Sequence, residues 1–280
     1  MKAIILNLSA WAILPFMDTI AKYLSAELSF FQITWARYFF TVFWTLPFMF
    51  IFFRKNLTWS ENPKLQILRG LTLFSANICF FYSISIISMA KALTLAFVAP
   101  LVTTALSPIL LGEKVGIKRL TAVIVGFIGS LVVIRPGFIE FNLATLAALG
   151  TGCLYGVYLV ITRKLHSTDN PLLTLLLTGI VGATVSTFFV PIVWVNPTNI
   201  QWLWLAIMGI FACLGHILLI YSLRYADASK LAPFGYFEII TNVILGYYVF
   251  KDFPNLWTFL GLFIIVSSGI YIFRRELKKN

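Results

Sequence analysis

Long apolar runs separated by short polar breaks dominate the chain, and their length suggests what they are. A helix needs about 20 apolar residues to cross the hydrocarbon core of a bilayer. Ten runs meet or approach that length: 3–24, 32–53, 66–88, 91–112, 117–134, 142–162, 171–194, 201–222, 229–250 and 255–273. The breaks between them carry turn formers, as in "SENP" (60–63), "DNP" (169–171), "NPTN" (196–199) and "DFPN" (252–255). No connection is long enough for a separate soluble domain. The pattern predicts an all-α membrane protein with ten transmembrane helices.

An internal similarity divides the ten into two sets of five. With the chain laid on itself so that "YSISIISMAK" (82–91) falls on "YSLRYADASK" (221–230), Gly70, Glu113 and Arg135 fall in the same register on Gly209, Asp252 and Arg274. In a register shifted by two, "KYL" (22–24) meets "RKL" (163–165). Residues 1–137 and 138–280 are the two expected repeats. An odd number of spans reverses the second copy, so the fold class is two inverted five-helix repeats around a central cavity. Alternating-access transporters are commonly built this way, with the site near midplane between the halves. A duplication kept for folding alone would leave the same trace.

Composition agrees with a lipid environment: 60% of the 280 residues are hydrophobic and 11% are charged, against roughly 25% charged in soluble domains. The net charge of +11 raises nucleic acid as a partner, but its placement argues against that. Sixteen Lys and Arg collect on one side of the ten spans, from Lys2 through Arg69 and Arg163 to Lys279. The other side holds four, Lys22, Lys91, Arg135 and Lys251. Positive charge accumulates on the cytoplasmic side, which puts both termini in the cytoplasm and the chain in the inner membrane, with lipid rather than nucleic acid around it. The opening segment is read as the first span and not a signal peptide, because the repeat needs it. The sequons at Asn7 and Asn56 are read as chance. Cys79, Cys153 and Cys213 lie in apolar runs without CxxC spacing and read as small buried residues.

A few ionisable residues fall inside the spans, where a charge costs about 2.5–3.5 kcal/mol on insertion scales. Asp18 and Arg37 lie at similar depth on consecutive spans joined by "SAELSF" (25–30). Either they pair and lock the hairpin, or one or both face the cavity, where a guanidinium can hold a substrate carboxylate. Glu238 follows "PFGYF", where Pro233 and Gly235 loosen the helix and Tyr236 adds a hydroxyl and a ring face. It either meets a cation entering the cavity, exchanges a proton, or stays neutral and hydrogen-bonded to a neighbouring helix. His216 reads first as a packing residue. Pro100 and Pro108 break the fourth span, and Phe97, Tyr82 and Tyr221 are aromatic residues that either wall a cavity or pack and face lipid. Gly126/Gly129 and Gly152/Gly156 read as close helix contacts. No HExxH, GxSxG, Walker or dinucleotide motif is present. The chain is therefore expected not to be an enzyme and to need no cofactor or metal.

The segments "DTIAKYL" (18–24), "WARYFF" (35–40), "ILRGLTLF" (67–74) and "APFGYFEIITNVILGYYVFKDFP" (232–254) resemble the EamA branch of the drug/metabolite transporter superfamily over essentially the whole chain. Within it they are most similar to its S-adenosylmethionine uptake group. The resemblance implies ten helices in two repeats, cytoplasmic termini and a central cavity. Asp18, Arg37, Tyr236 and Glu238 fall on polar positions of that group, and Gly235 stands where the group tends to carry an arginine. The expected cargo is a small zwitterionic or cationic metabolite, S-adenosylmethionine among the candidates, bound by Asp18, Arg37, Phe97, Tyr236 and Glu238. A proton or counter-metabolite is a candidate coupling partner. The alternatives are an exporter of amino acids or related metabolites, and a non-transporting sensor or assembly subunit.

Overall fold

Every regular element among the described residues is helical. The computed structural model describes residues 1–53, 60–134, 142–251 and 256–277. Arg54, Lys55, Asn56, Arg135, Asp252, Lys278 and Lys279, the side chain of Arg275 and the expected repeat boundary at 137/138 lie outside the described residues.

Seven helices follow the expected spans closely: α1 (Lys2–Leu24), α2 (Phe30–Phe53), α3 (Pro63–Ile86), and further on α6 (Ile117–Ile134), α7 (Leu143–Lys164), α9 (Asn199–Tyr225) and α12 (Leu256–Leu277). Of these, α1, α3, α7 and α9 are long and apolar enough to cross a bilayer by length and composition. The breakers act as expected. Asn142 caps α7 by accepting from Thr145 N at 3.0 Å, and Thr198 and Gln201 form a capping box at the start of α9. Asn170 caps α8 (Pro171–Thr187), whose first residue is proline.

Three expected spans are interrupted, each at a proline. The fourth divides into α4 (Met89–Ala96) and α5 (Ala99–Leu111). Pro100 lacks an N–H and its ring crowds the carbonyl four residues back, which is Ala96, the last residue of α4. Pro108, by contrast, lies inside α5 without breaking it. The same rule ends α8 at Thr187, four residues before Pro191, so the expected span 171–194 closes early in a 3-10 turn over Val190–Val193. The ninth span becomes a single turn, α10 (Ala228–Leu231), a 3-10 stretch over Ala232–Phe237 containing Pro233 and Gly235, and α11 (Glu238–Phe250).

The elements recur at a near-constant spacing. The starts of α7 and α8, at Leu143 and Pro171, follow those of α1 and α2, at Lys2 and Phe30, by one common interval. The starts of α10, α11 and α12, at Ala228, Glu238 and Leu256, follow those of α4, α5 and α6, at Met89, Ala99 and Ile117, by another that is nearly equal. α9 follows α3 by a slightly shorter one. Only two described residues have positive φ, Gly112 at 67° and Lys251 at 60°. They fall in the same register as the helices before them, and they end α5 and α11 in the same left-handed cap, bonding Ser107 O and Gly246 O.

Packing follows the same correspondence. α1 lies on α9 and α3 on α7, while α2 faces α8 and α6 faces α12. The contacts give directions. Trp35 at the start of α2 bonds Thr187 at the end of α8 (3.2 Å), and Gly179 faces Val42, so α2 and α8 are antiparallel. Lys2 and Asn7 of α1 reach Tyr225 and Ser222 at the end of α9 (3.4 and 3.1 Å). Small residues allow the close approaches: a Cβ on Gly152 would strike Ala96 O, and one on Gly126 the Tyr236 ring. Cys79 and Cys213 are half-buried and Cys153 is exposed; all three are free thiols, so the expectation of burial fails at Cys153.

Arg69 requires a correction. Counted by sequence among the rim cations, it is fully buried on α3. Its Nε donates to Thr162 Oγ1 (2.7 Å), one Nη to Thr174 O (3.1 Å) and Thr178 Oγ1, and the other to Tyr158 OH (2.9 Å). It ties α3 to α7 and α8. Buried Asp169 works similarly nearby, accepting from Ser60 Oγ (2.5 Å), Gln66 Nε2 (2.6 Å) and Glu61 N (3.2 Å).

Candidate functional site

Side chains at helical spacing turn inward from several helices to surround one cavity. α1 contributes Asn7, Trp11, Leu14 and Asp18, at i, i+4, i+7 and i+11. α7 contributes Thr151, Tyr155 and Leu159, and α9 contributes His216, Leu219 and Leu223, on the same periodicity. Asn77 and Phe80 of α3, Phe97 and Pro100 at the first break, and Gly235 and Glu238 at the second complete the wall. The space open to the centres of water molecules is about 80 Å³. At about 10–15 Å³ per water on that measure, it holds several waters.

The two breaks meet at this cavity. Phe97 and Tyr236 hold corresponding places after the starts of α4 and α10, and they pack edge to face at 5.4 Å and 76°. Glu238 is the first residue of α11 and follows the 3-10 stretch without a gap, its own N–H bonded to Gly235 O. Asp18 faces the same space from α1. Neither carboxyl makes a side-chain hydrogen bond or ion pair among the described residues.

The other three expected site residues divide. Phe97 lines the cavity, but Tyr236 does not; its hydroxyl donates to Val123 O at 3.0 Å and fastens the second break to α6. Arg37 does not line it either. α2 packs against α8 and α9 and touches α1 only slightly, so the guanidinium points past Asp18 towards α9. Arg37 is buried, with Nε 3.2 Å from Met17 Sδ, one Nη 2.6 Å from His216 Nε2, and its guanidinium 4.5 Å over the Tyr38 ring. The expected hairpin pair with Asp18 does not form as a direct contact. Tyr82 and Tyr221 are not on the wall either; Tyr82 packs on Phe30 at 5.4 Å.

Sequence reasoning undervalued His216. It lines the cavity and joins two buried arginines: Arg37 contacts its Nε2, and its Nδ1 lies 3.1 Å from Tyr158 OH, which also accepts from Arg69. Arginine can only donate, so Nε2 is the acceptor and the ring proton sits on Nδ1, facing Tyr158. The chain Arg37–His216–Tyr158–Arg69 thus fixes one neutral tautomer. Asn7 and Trp11 were missed as wall residues although their spacing with Asp18 is visible in the sequence. They are linked, with Trp11 Nε1 donating to Asn7 Oδ1 at 2.9 Å and Asn7 Nδ2 to Ser222 Oγ at 3.1 Å.

At the end of the molecule that holds both Lys2 and Tyr225, Glu113 bridges elements far apart in the chain. Its carboxylate accepts from Ala228 N (2.9 Å), Ser229 N (3.0 Å) and Ser229 Oγ (2.7 Å). Arg163 lies 3.5 Å from Glu113 and 3.0 Å from Asp227.

Comparison with known proteins agrees with this architecture. The family described as EamA-like transporter matches twice, over residues 1–135 and 142–274. An S-adenosylmethionine uptake transporter of Rickettsia bellii is 30% identical over 261 residues, 93% of this chain and 89% of its own. A riboflavin transporter of Vibrio cholerae is 31% identical over 192 residues, 68% and 64% respectively. One crystal structure superposes with a TM-score of 0.75 over 95% of this chain and 94% of its own at 18% identity, a likeness of fold.

Proposed function

The chain belongs to the EamA-like transporter family, and we propose that it is a secondary transporter carrying a small cationic or zwitterionic organic metabolite across the inner membrane by alternating access. The observation that carries the reading is the pair Asp18 and Glu238. One comes from each half of the chain, both face one aromatic-walled cavity, and neither makes a side-chain hydrogen bond or ion pair among the described residues, although the Arg37 charge acts on Asp18 from a distance. Carboxyls left unpartnered at this depth are costly unless something entering the cavity meets them. Trp11, Phe80 and Phe97 offer ring faces to an onium centre or an aromatic base.

S-adenosylmethionine is the cargo we propose first. Its sulfonium and ammonium suit two carboxyls, its adenine suits the aromatic wall, and relatives of this chain carry that name. Residues 1–137 and 138–280 then act as two inverted five-span repeats, with α4–α5 and α10–α11 each counted as one broken span. The shared spacing of the elements, the antiparallel α2 and α8, and the matching caps at Gly112 and Lys251 support this reading. The cavity is too small for a nucleoside-sized cargo, since ligand sites of that class occupy about 300–1,000 Å³. Loading therefore needs the breaks at Phe97 and Glu238 to yield. The clustering of Lys and Arg favours cytoplasmic termini, with the Glu113–Arg163 contact closing the inner end. A proton or counter-metabolite returning on the same carboxyls would complete a cycle.

The test is uptake by the purified protein in proteoliposomes, with labelled S-adenosylmethionine, lysine, an uncharged riboflavin and a dicarboxylate presented separately. The reading predicts that the sulfonium is carried and competed by organic cations. Preferential transport of the dicarboxylate or the flavin would overturn it.

A further inference from the structure

Tyr155 borders the same cavity from α7. Its hydroxyl oxygen is buried and has no hydrogen-bond partner among the described residues. Its ring lies on the cavity wall, between Trp11 at 6.0 Å and Tyr158 at 5.2 Å. Leu14, which stands where Tyr155 does when α1 is laid on α7, occupies the wall on the side of α1, so this hydroxyl has no counterpart there.

A zwitterion brings an acceptor as well as a cation, and its carboxylate needs a donor. Arg37, the donor that sequence suggests, is turned away onto His216. Each of the other side-chain donors on the wall already serves a protein group: Asn7 serves Ser222, Trp11 serves Asn7, Asn77 serves Tyr38 and Leu73, Thr103 serves Gly156, Thr151 serves Ala76 and His216 is held between Arg37 and Tyr158. Asn7 keeps a second amide N–H, and the phenol of Tyr155 is the donor on the wall that has no protein partner at all among the described residues. A buried hydroxyl without a partner is unfavourable in the empty protein and favourable once a ligand supplies the acceptor.

Building on the cation-carrier reading above, we propose that Tyr155 is a specificity-determining residue, whose hydroxyl donates to the carboxylate of a zwitterionic cargo while Asp18 and Glu238 take its positive groups. Selection then rests on a three-point match of two acceptors and one donor. An otherwise similar cation without a carboxylate should gain nothing from the hydroxyl.

The experiment compares wild type with Tyr155→Phe, which keeps the ring and removes the donor. Binding of S-adenosylmethionine and of its decarboxylated analogue is measured on the purified full chain, together with thermal stability without ligand. The expected result is that the variant weakens S-adenosylmethionine about tenfold or more, the usual scale for a lost hydrogen bond to a charged group. The analogue should be unchanged to within about twofold, and the ligand-free variant should melt no lower than wild type, because the hydroxyl has no protein partner to lose. An equal effect on both ligands, no effect on either, or a lower melting point without ligand would overturn the role of Tyr155 and leave the cation-carrier reading standing. A wild-type protein that binds neither sulfonium would overturn both.

Discussion

Replacing Arg69 with lysine should damage the protein at least as much as replacing it with methionine, although lysine keeps the charge. Arg69 makes four hydrogen bonds, to Thr162, Thr174, Thr178 and Tyr158. A lysine ammonium has three donors on one nitrogen and cannot reproduce the planar fork. If it retains two bonds, the loss is about 3–6 kcal/mol at roughly 1.5–3 kcal/mol per charge-assisted bond. The several kcal/mol spent on burying the ion remain. Methionine loses all four bonds but removes that burial cost. The acceptors also keep other roles, since the Thr162 and Thr178 hydroxyls donate to Tyr158 O and Thr174 O, each at 2.7 Å. A net cost of about 1–4 kcal/mol follows for methionine. At about 2–4 °C per kcal/mol for chains of this size, Arg69→Lys should melt roughly 6–24 °C below wild type and Arg69→Met no further. Thermal unfolding in detergent, read by a thiol-reactive dye as Cys79 and Cys213 become exposed, measures both. A lysine variant within about 2 °C of wild type beside a collapsed methionine variant would refute the reasoning, because charge rather than bond geometry would then be what stabilises this site.

Two further outcomes follow from the same contacts. Glu113→Gln replaces an acceptor-only group with one that turns an N–H towards the amides of Ala228 and Ser229. A loss of about 1–2 kcal/mol, or roughly 5–30-fold in the balance of states, should speed labelling of a cysteine placed at Ala228 by an inner-side impermeant reagent in a cysteine-free background; an unchanged rate would show that this contact closes nothing. His216→Gln supplies an acceptor for Arg37 and a donor for Tyr158, as the fixed tautomer does. Uptake should stay within about threefold of wild type with the same pH profile, whereas His216→Phe, which strips Arg37 of its acceptor, should lose folding or transport; a flattened pH profile for the glutamine variant would make His216 a proton carrier instead.

Most helix boundaries were legible because length, apolar runs and cap residues are local. The 117–134 span and the starts at Pro171 and Leu256 lie where the breakers put them, to within a residue. The interruptions were less visible. Pro100 announces itself, but Pro191 sits unremarked inside the expected span 171–194, and only the i−4 clash fixes the ends at Ala96 and Thr187. Asp18, Glu238 and Phe97 could be identified as candidates because ionisable residues inside spans and aromatic residues near breaks are informative. Arg37 and Tyr236 could not be placed, because which way a side chain turns depends on which helices pack together. Arg69 was misread for the same reason: near Lys64 it looks like a rim cation, and only the threonines of α7 and α8 reveal a buried socket. Tyr155 gave no signal, since a hydroxyl without a partner is a property of its surroundings.

The measurement closest to the central claim is the affinity of S-adenosylmethionine, and of an organic cation without its carboxylate, for wild type, Asp18→Asn and Glu238→Gln. Each neutralised carboxyl should weaken both ligands at least tenfold, about 1.4 kcal/mol, with the folded protein intact by thermal unfolding. Variants that bind both ligands as tightly as wild type, or a wild type that binds neither, would contradict a cavity whose two acidic groups receive a positively charged cargo.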